Sequence, residues 1–243
     1  MKITAIIPTL WLSEVLKRSC DELRHNNAVE EVIVINNRKN FKNIEFAEYG
    51  ELAHAGELEY HGRVMQTEKF GKFLVVTPPH NLYVSESWNL GAFLAKTETL
   101  CLLNDDIVVD PKAFEFIEAA MNPKVGIIGL HPGCYSNLEH SDKVMPLKRL
   151  ASPIHNLPFA FGCCMFFLKS KYPEIPSNIR IYFNDNYLFA KIPGQHYCYV
   201  GAKVRGSVSK SVGSKEINHE VQIIVKEDEK AFKELLEQGA FHG

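Results

Sequence analysis

A chain of 243 residues with 46% apolar content can build one large domain or two small ones around a sizeable core. A formal charge of -2 and a pI near 6.6 exclude a globally basic polyanion binder. No apolar run approaches the ~20 residues of a membrane span, and the opening MKITAIIPTLW is too short, and too interrupted by Pro8, to serve as a leader.

That opening reads instead as a strand, Ile3 to Ile7, stopped by Pro8-Thr9. Residues 13 to 25 follow as a helix with Ser13 as its cap, because Val15, Leu16, Cys20 and Leu23 recur at helical spacing. The β-branched run Val32 to Ile35 is a second strand ending in Asn36-Asn37, and strand, helix, strand at this spacing signals a parallel sheet. Residues 38 to 72 read as either a hairpin or a loop excursion. Phe73 to Val76 forms a third strand, Ser85 to Lys96 a helix in which Gly91 permits close packing, and Leu100 to Leu103 a fourth strand. Then come a helix after Pro111, a strand from Val125 to Leu130, a loop-rich stretch to 157, the apolar FAFGCCMFFL, the aromatic-rich IYFNDNYLFAK, and a charged amphipathic helix from Glu227 to Gln238. The class is α/β, an open, mostly parallel, twisted sheet flanked by helices. The six cysteines include no C-x-x-C pair, which predicts reduced, buried thiols and a cytoplasmic setting.

The fourth strand ends on Asn104-Asp105-Asp106. Ionised carboxylates at the edge of a core cost energy unless something cationic meets them. A strand-ending turn accounts for them, since Asn and Asp favour turns; so does a metal with a nucleotide. Ligands of open α/β sheets bind beyond the carboxyl ends of strands. Three such ends here carry Pro8-Thr9, Asn36-Asn37 and Asn104-Asp105-Asp106.

The stretches TAIIPTLW, VIVINN, WNLGAFLAKTETLCLLNDDIVVDP, PKVGIIG, FGCCMFFLK and FNDNYLFAK, in this order, resemble the inverting family 2 glycosyltransferases of GT-A fold, especially rhamnosyltransferase-like members. The resemblance covers roughly residues 1 to 210. It implies a GT-A domain over 1–215, with a nucleotide-binding half to about 110 and an acceptor half beyond, followed by a helical extension over 216–243. It implies sugar transfer from a nucleoside-diphosphate donor to an acceptor hydroxyl with inversion, assisted by Mn²⁺ or Mg²⁺. Asp106 matches the metal ligand, while Asn104 and Asp105 match nucleotide-sugar contacts. Pro8, Thr9 and Asn36 match the nucleobase and ribose pocket, where an amide offers a base edge both donor and acceptor. Gly162 matches a glycine that lets backbone approach sugar or acceptor, although apolar strands also use Gly for packing. Asp185 matches the catalytic base, and its aromatic neighbours Tyr182, Phe183, Tyr187 and Phe189 favour a raised pKa; a surface turn reads the same letters. Trp88 stands where the family often has Arg, and it reads as a packed helix residue.

Three departures stand out. Asn184 replaces a usual Glu, Asn36 a usual Asp, and no His follows the base motif in AKVRGSVSKSV to complete a metal site. Either the metal has fewer protein ligands, or Arg205, Lys210 and Lys215 neutralise the diphosphate directly. A GT-A-like module that binds a sugar nucleotide or glycan without catalysis is therefore the first alternative. A sugar-1-phosphate nucleotidyltransferase is the second, although TAIIPTLWLSE lacks the Gly-rich phosphate loop it needs. Residues 141 to 215 hold eleven Lys/Arg against three Asp/Glu. This suggests an anionic acceptor such as a phosphorylated lipid carrier reached by peripheral docking, an acidic glycan or nucleic acid, with a soluble glycan as the default.

Overall fold

The computed structural model describes residues 1–11, 13–38, 43–147, 157–206 and 218–239. In chain order these form β1 (Ile3–Thr9), α1 (Val15–His25), β2 (Val29–Asn36), a 3-10 turn (Asn43–Tyr49), β3 (Leu52–Tyr60), β4 (Arg63–Phe70), β5 (Phe73–Thr77), α2 (Ser85–Leu94) and β6 (Thr99–Leu103). The second half holds β7 (Ile107–Val109), α3 (Pro111–Ala120), β8 (Val125–Leu130), β9 (Val144–Leu147), β10 (Cys164–Leu168), α4 (Asn184–Lys191), β11 (Gln195–Tyr199), β12 (Val204–Gly206) and α5 (Asn218–Glu237).

One mixed sheet has the order β3-β4-β5-β2-β1-β6-β10-β8-β11-β9. Its centre, β5-β2-β1-β6, is parallel throughout. Successive side chains on a strand face opposite ways, and the core divides accordingly. Ile7 and Val34 pack with Leu16, Cys20 and Leu23 of α1 and with Phe114 and Ile117 of α3. Ile6, Ile33 and Ile35 pack on the other face with Leu90 of α2, Leu188 of α4 and Phe232 of α5. Strands buried on both faces explain the near-continuous apolar runs of β1, β2 and β6. A Cβ on Gly91 would come within 2.3 Å of Ile6 Cγ2, so α2 lies as close to the sheet as its glycine permits.

The sequence expectations need adjustment in several places. Pro8 and Thr9 continue β1 rather than stopping it, opposite Ile35 and Asn36. Pairing of β1 with β6 ends at Ile6, so Pro8, with no N–H to give, lies where the strand has one neighbour only. Residues 52–70 resolve into the β3–β4 hairpin. Its two turn residues, His61 and Gly62, both have positive φ (51° and 71°), the backbone pattern of a type I′ turn. IYFNDNYLFAK contains helix α4 rather than a surface turn. The final helix begins earlier, at Asn218, and buries Phe232 and Asp228 completely. All six cysteines are free and buried. No helix among the described residues is long and apolar enough to cross a membrane.

Candidate active site

The carboxyl ends of β1, β2 and β6 meet at one edge of the sheet. Strand β10 begins at that edge, with Cys164 opposite Leu103. The backbone of Asn104 is held there by a 2.9 Å bond from its N–H to the Cys163 carbonyl. Asp105 and Asp106 follow, 7% and 3% exposed, so they are not a solvated turn. The Thr9 hydroxyl donates to Asp105 Oδ2 at 2.6 Å and accepts from the Trp11 N–H at 2.8 Å, which locks the end of β1 to the end of β6. Beyond Asp106 the chain enters β7, which pairs with β12. A Cβ on Gly206 (φ 120°) would meet the Asp106 carbonyl oxygen at 2.3 Å, so only glycine lets that strap lie against the acidic pair. Arg205, exposed, stands in the same strap opposite Val108. Lys210 and Lys215 lie outside the described residues.

At the second strand end, Asn36 engages its amide within the protein. Oδ1 accepts from Trp11 Nε1 at 2.7 Å and from the Arg38 N–H at 3.2 Å, and Nδ2 donates to Thr77 Oγ1 at 3.2 Å. Asn36 thus orients Trp11, whose backbone is left-handed (φ 58°) and whose ring meets Phe46 edge-on at 5.3 Å. Asn37 fixes the turn, accepting from Leu82 N–H at 2.9 Å and donating to Ser87 Oγ at 3.0 Å. Trp88 is buried in the core, as a packing residue should be.

Asp185 lies in the first turn of α4, and its Oδ1 accepts from the Asn186 N–H at 3.0 Å. Burial raises its pKa, and the amides of Asn186 and Asp185 counter this only in part. A Cβ on Gly162 would lie 2.7 Å from Asp185 Oδ2, so this glycine clears room for the carboxyl. Cys163 follows Gly162, which lies against Asp185, and its carbonyl accepts from the Asn104 N–H. Its thiol is pushed up to about 12, first by burial, then by the charges of Asp106 and Asp185 against a lowering contribution from Tyr135. Tyr135 is raised as well, by burial and then by Cys163 and Asp106. The structure thus brings Thr9, Asn36, Asn104, Asp105, Asp106, Gly162 and Asp185 to one edge. It adds Trp11, Thr77, Cys163 and Tyr135. Trp11 has a signal in the sequence, two residues after Thr9; Tyr135, in the turn PGCYS, has none.

Asp105 and Asp106 are hard oxygen donors of the kind Mg²⁺ and Mn²⁺ accept. Among the described residues, no group of three His, Cys, Asp or Glu side chains is placed to hold a metal. Two carboxylates are a partial ligand set, so a cation there would need further oxygens from a bound ligand. The basic segment is less available than its composition suggests. Lys169 donates to the carbonyls of Ala95 (2.6 Å) and Phe93 (3.4 Å), and Lys171 to those of Pro123, Val125 and Pro193. Both follow β10, whose last residue Leu168 pairs with Thr99 at the opposite edge of the sheet. Arg180 pairs with Glu227 and Asp228.

The sheet order, mostly parallel at its centre with helices on both faces, is that of an α/β Rossmann-like fold. Among solved structures the chain is similar to S. aureus TarS 1-349 (TM-score 0.54, 12% identity, covering 84% of this chain and 59% of that one). It is equally similar to the same TarS fragment in complex with UDP (TM-score 0.53, 12% identity, 84% and 59%). The mannosyltransferase PcManGT from Pyrobaculum calidifontis, in complex with GDP-Man and Mn²⁺, gives a TM-score of 0.55 at 12% identity over 86% of this chain and 58% of that one. The chain spans less than two thirds of the length of these structures, and at such identity the likeness concerns the fold. No protein-family profile and no curated protein sequence matches the chain.

Proposed function

We propose that this protein is a metal-assisted, inverting glycosyltransferase that moves a sugar from a nucleoside diphosphate to a hydroxyl acceptor. What supports this reading is that two acidic stretches come together at the carboxyl edge of the sheet: the Asn104 N–H, next to Asp105-Asp106, bonds the Cys163 carbonyl, and Asp185 lies against the adjacent Gly162. Trp11, Asn36 and Thr77 shape the nucleoside end. Asp106, with Asp105 tied to Thr9, would hold Mg²⁺ or Mn²⁺. That cation, when bound, offsets the negative charge that develops on the departing diphosphate.

The ionised Asp185 carboxylate accepts the proton of the acceptor hydroxyl as its oxygen bonds to the anomeric carbon. The bond from that carbon to the diphosphate oxygen breaks on the opposite face, and its electron pair leaves with the diphosphate. Burial raises the Asp185 pKa and so makes its carboxylate a stronger base. With Lys169, Lys171 and Arg180 engaged in the fold, we take a glycan hydroxyl as the acceptor. The free thiols agree with a cytoplasmic setting.

A test is transfer and hydrolysis with UDP- and GDP-sugars in Mn²⁺, comparing the wild type with Asp185→Asn. Turnover should vanish in the variant while donor binding persists. Retained turnover would remove Asp185 as base. Asn184, buried where the family pattern carries Glu, favours a second reading, a sugar-nucleotide-binding module without catalysis. Donor binding with no turnover in the wild type would select it.

A further inference from the structure

We propose that Asp228, on the C-terminal helix, is a positioning residue that sets the place of Asp185. This inference rests on the sugar-transfer reading. Asp228 is fully buried. Its Oδ1 accepts from the Arg180 N–H at 3.0 Å, and its Oδ2 accepts from Ile181 and Tyr182 at 2.7 and 2.9 Å. Three successive backbone amides thus converge on one carboxylate. Arg180 Nε, 3.8 Å from Oδ1, adds a cation to the same group.

The clamped residues lead directly into the base. Phe183 follows in a left-handed conformation (φ 65°) that a bulky side chain avoids unless its surroundings hold it. Phe232, one turn beyond Asp228 on the same helix face, supplies that hold. It is fully buried and stacks on Phe183, with ring centroids 5.3 Å apart and planes 17° apart. The Arg180 carbonyl meanwhile accepts from Val84 and Ser85 at 3.0 and 3.1 Å, tying the segment to the start of α2. Helix α4 begins at Asn184, and Asp185 lands against Gly162. Helix α5 therefore grips residues 180–183 at two points, and those residues aim the carboxyl. Reacting groups tolerate little misplacement, since an ångström can cost on the order of a hundredfold in rate.

Asp228→Asn keeps the shape but turns one acceptor oxygen into an amide nitrogen that repels the N–H it faces. The experiment measures kcat and KM with the best donor found for the wild type, alongside UDP affinity by calorimetry in Mn²⁺ to count folded sites. The expected result is a kcat per UDP-binding site reduced by about tenfold or more, with UDP affinity and donor KM changed less than twofold. Phe232→Leu, which removes the ring stacked on Phe183, should move kcat the same way, and it carries the test should Asp228→Asn not fold. A kcat per site unchanged in these variants, with stability alone reduced, overturns the inference while leaving the transferase reading intact. A wild type that neither binds UDP nor turns over any donor overturns both.

Discussion

Thr9→Val removes one oxygen from the junction that holds the site together. The Thr9 hydroxyl is the donor to Asp105 Oδ2 at 2.6 Å and the acceptor of the Trp11 N–H at 2.8 Å. Thr9 and Asp105 are 3% and 7% exposed, so water does not readily replace what is lost. A hydrogen bond to a charged group contributes about 1.5–3 kcal/mol, and a buried amide left without its acceptor costs about 1 kcal/mol or more. Valine matches the shape of threonine, so no cavity adds to the sum. The expected destabilisation is about 3 kcal/mol, which for a chain of this size lowers Tm by roughly 6–12 °C. Urea denaturation of Thr9→Val, Asp105→Asn and the double variant would give the coupling between the two side chains, expected to be at least ~1 kcal/mol. A single-variant loss below about 1 kcal/mol, or additive effects in the cycle, would refute the claim that this bond joins the ends of β1 and β6.

Gly91→Ala places a methyl 2.3 Å from Ile6 Cγ2 in a filled core, and the overpacking should cost about 1–3 kcal/mol in denaturant unfolding. Gly162→Ala puts a Cβ 2.7 Å from Asp185 Oδ2; transfer should fall by about a hundredfold while UDP affinity stays within twofold by calorimetry. Asp185→Asn should lower transfer by about 10²–10⁴ and raise stability at neutral pH. The sign follows from burial: the folded state holds the Asp185 proton more tightly than the unfolded chain does. The wild type therefore loses stability as pH rises from the ordinary Asp range of about 4 through the raised folded pKa. Stability curves of wild type and Asp185→Asn should converge below that window and separate above it, and curves parallel at all pH values would contradict the assignment.

Much of the architecture can be read from residue patterns, because β-branched runs such as Val32 to Ile35 and the heptad-like spacing of Leu16, Cys20 and Leu23 carry their periods locally. The acidic pair ending an apolar strand is legible in the same way, although the hydroxyl donor that meets Asp105, from Thr9, is not. What a local pattern cannot carry is pairing at a distance. Pro8 looks like a strand stop until its neighbour β6 is seen to end at Ile6. The basic residues of 141–215 look like one surface, yet Lys169 and Lys171 serve carbonyls at the edge away from the site. The bonds from Asn36 to Trp11 and Thr77 likewise join segments far apart in the chain. Asn-Asp-Asn in an aromatic stretch also reads as a surface turn, whereas α4 starts there. The segment leading into it, residues 180–182, is held by Asp228, more than forty residues downstream.

The central claim is that Asp106 closes β6 in order to face a cation-bound diphosphate. Calorimetry with UDP and with GDP, each with Mn²⁺ and with EDTA, tests it most directly when run on the wild type and Asp106→Asn. The account predicts Mn²⁺-dependent binding of at least one nucleotide by the wild type, weakened by tenfold or more in Asp106→Asn while the fold is retained. Nucleotide binding that ignores both Mn²⁺ and the Asp106 substitution, or no binding by the wild type at all, would contradict it.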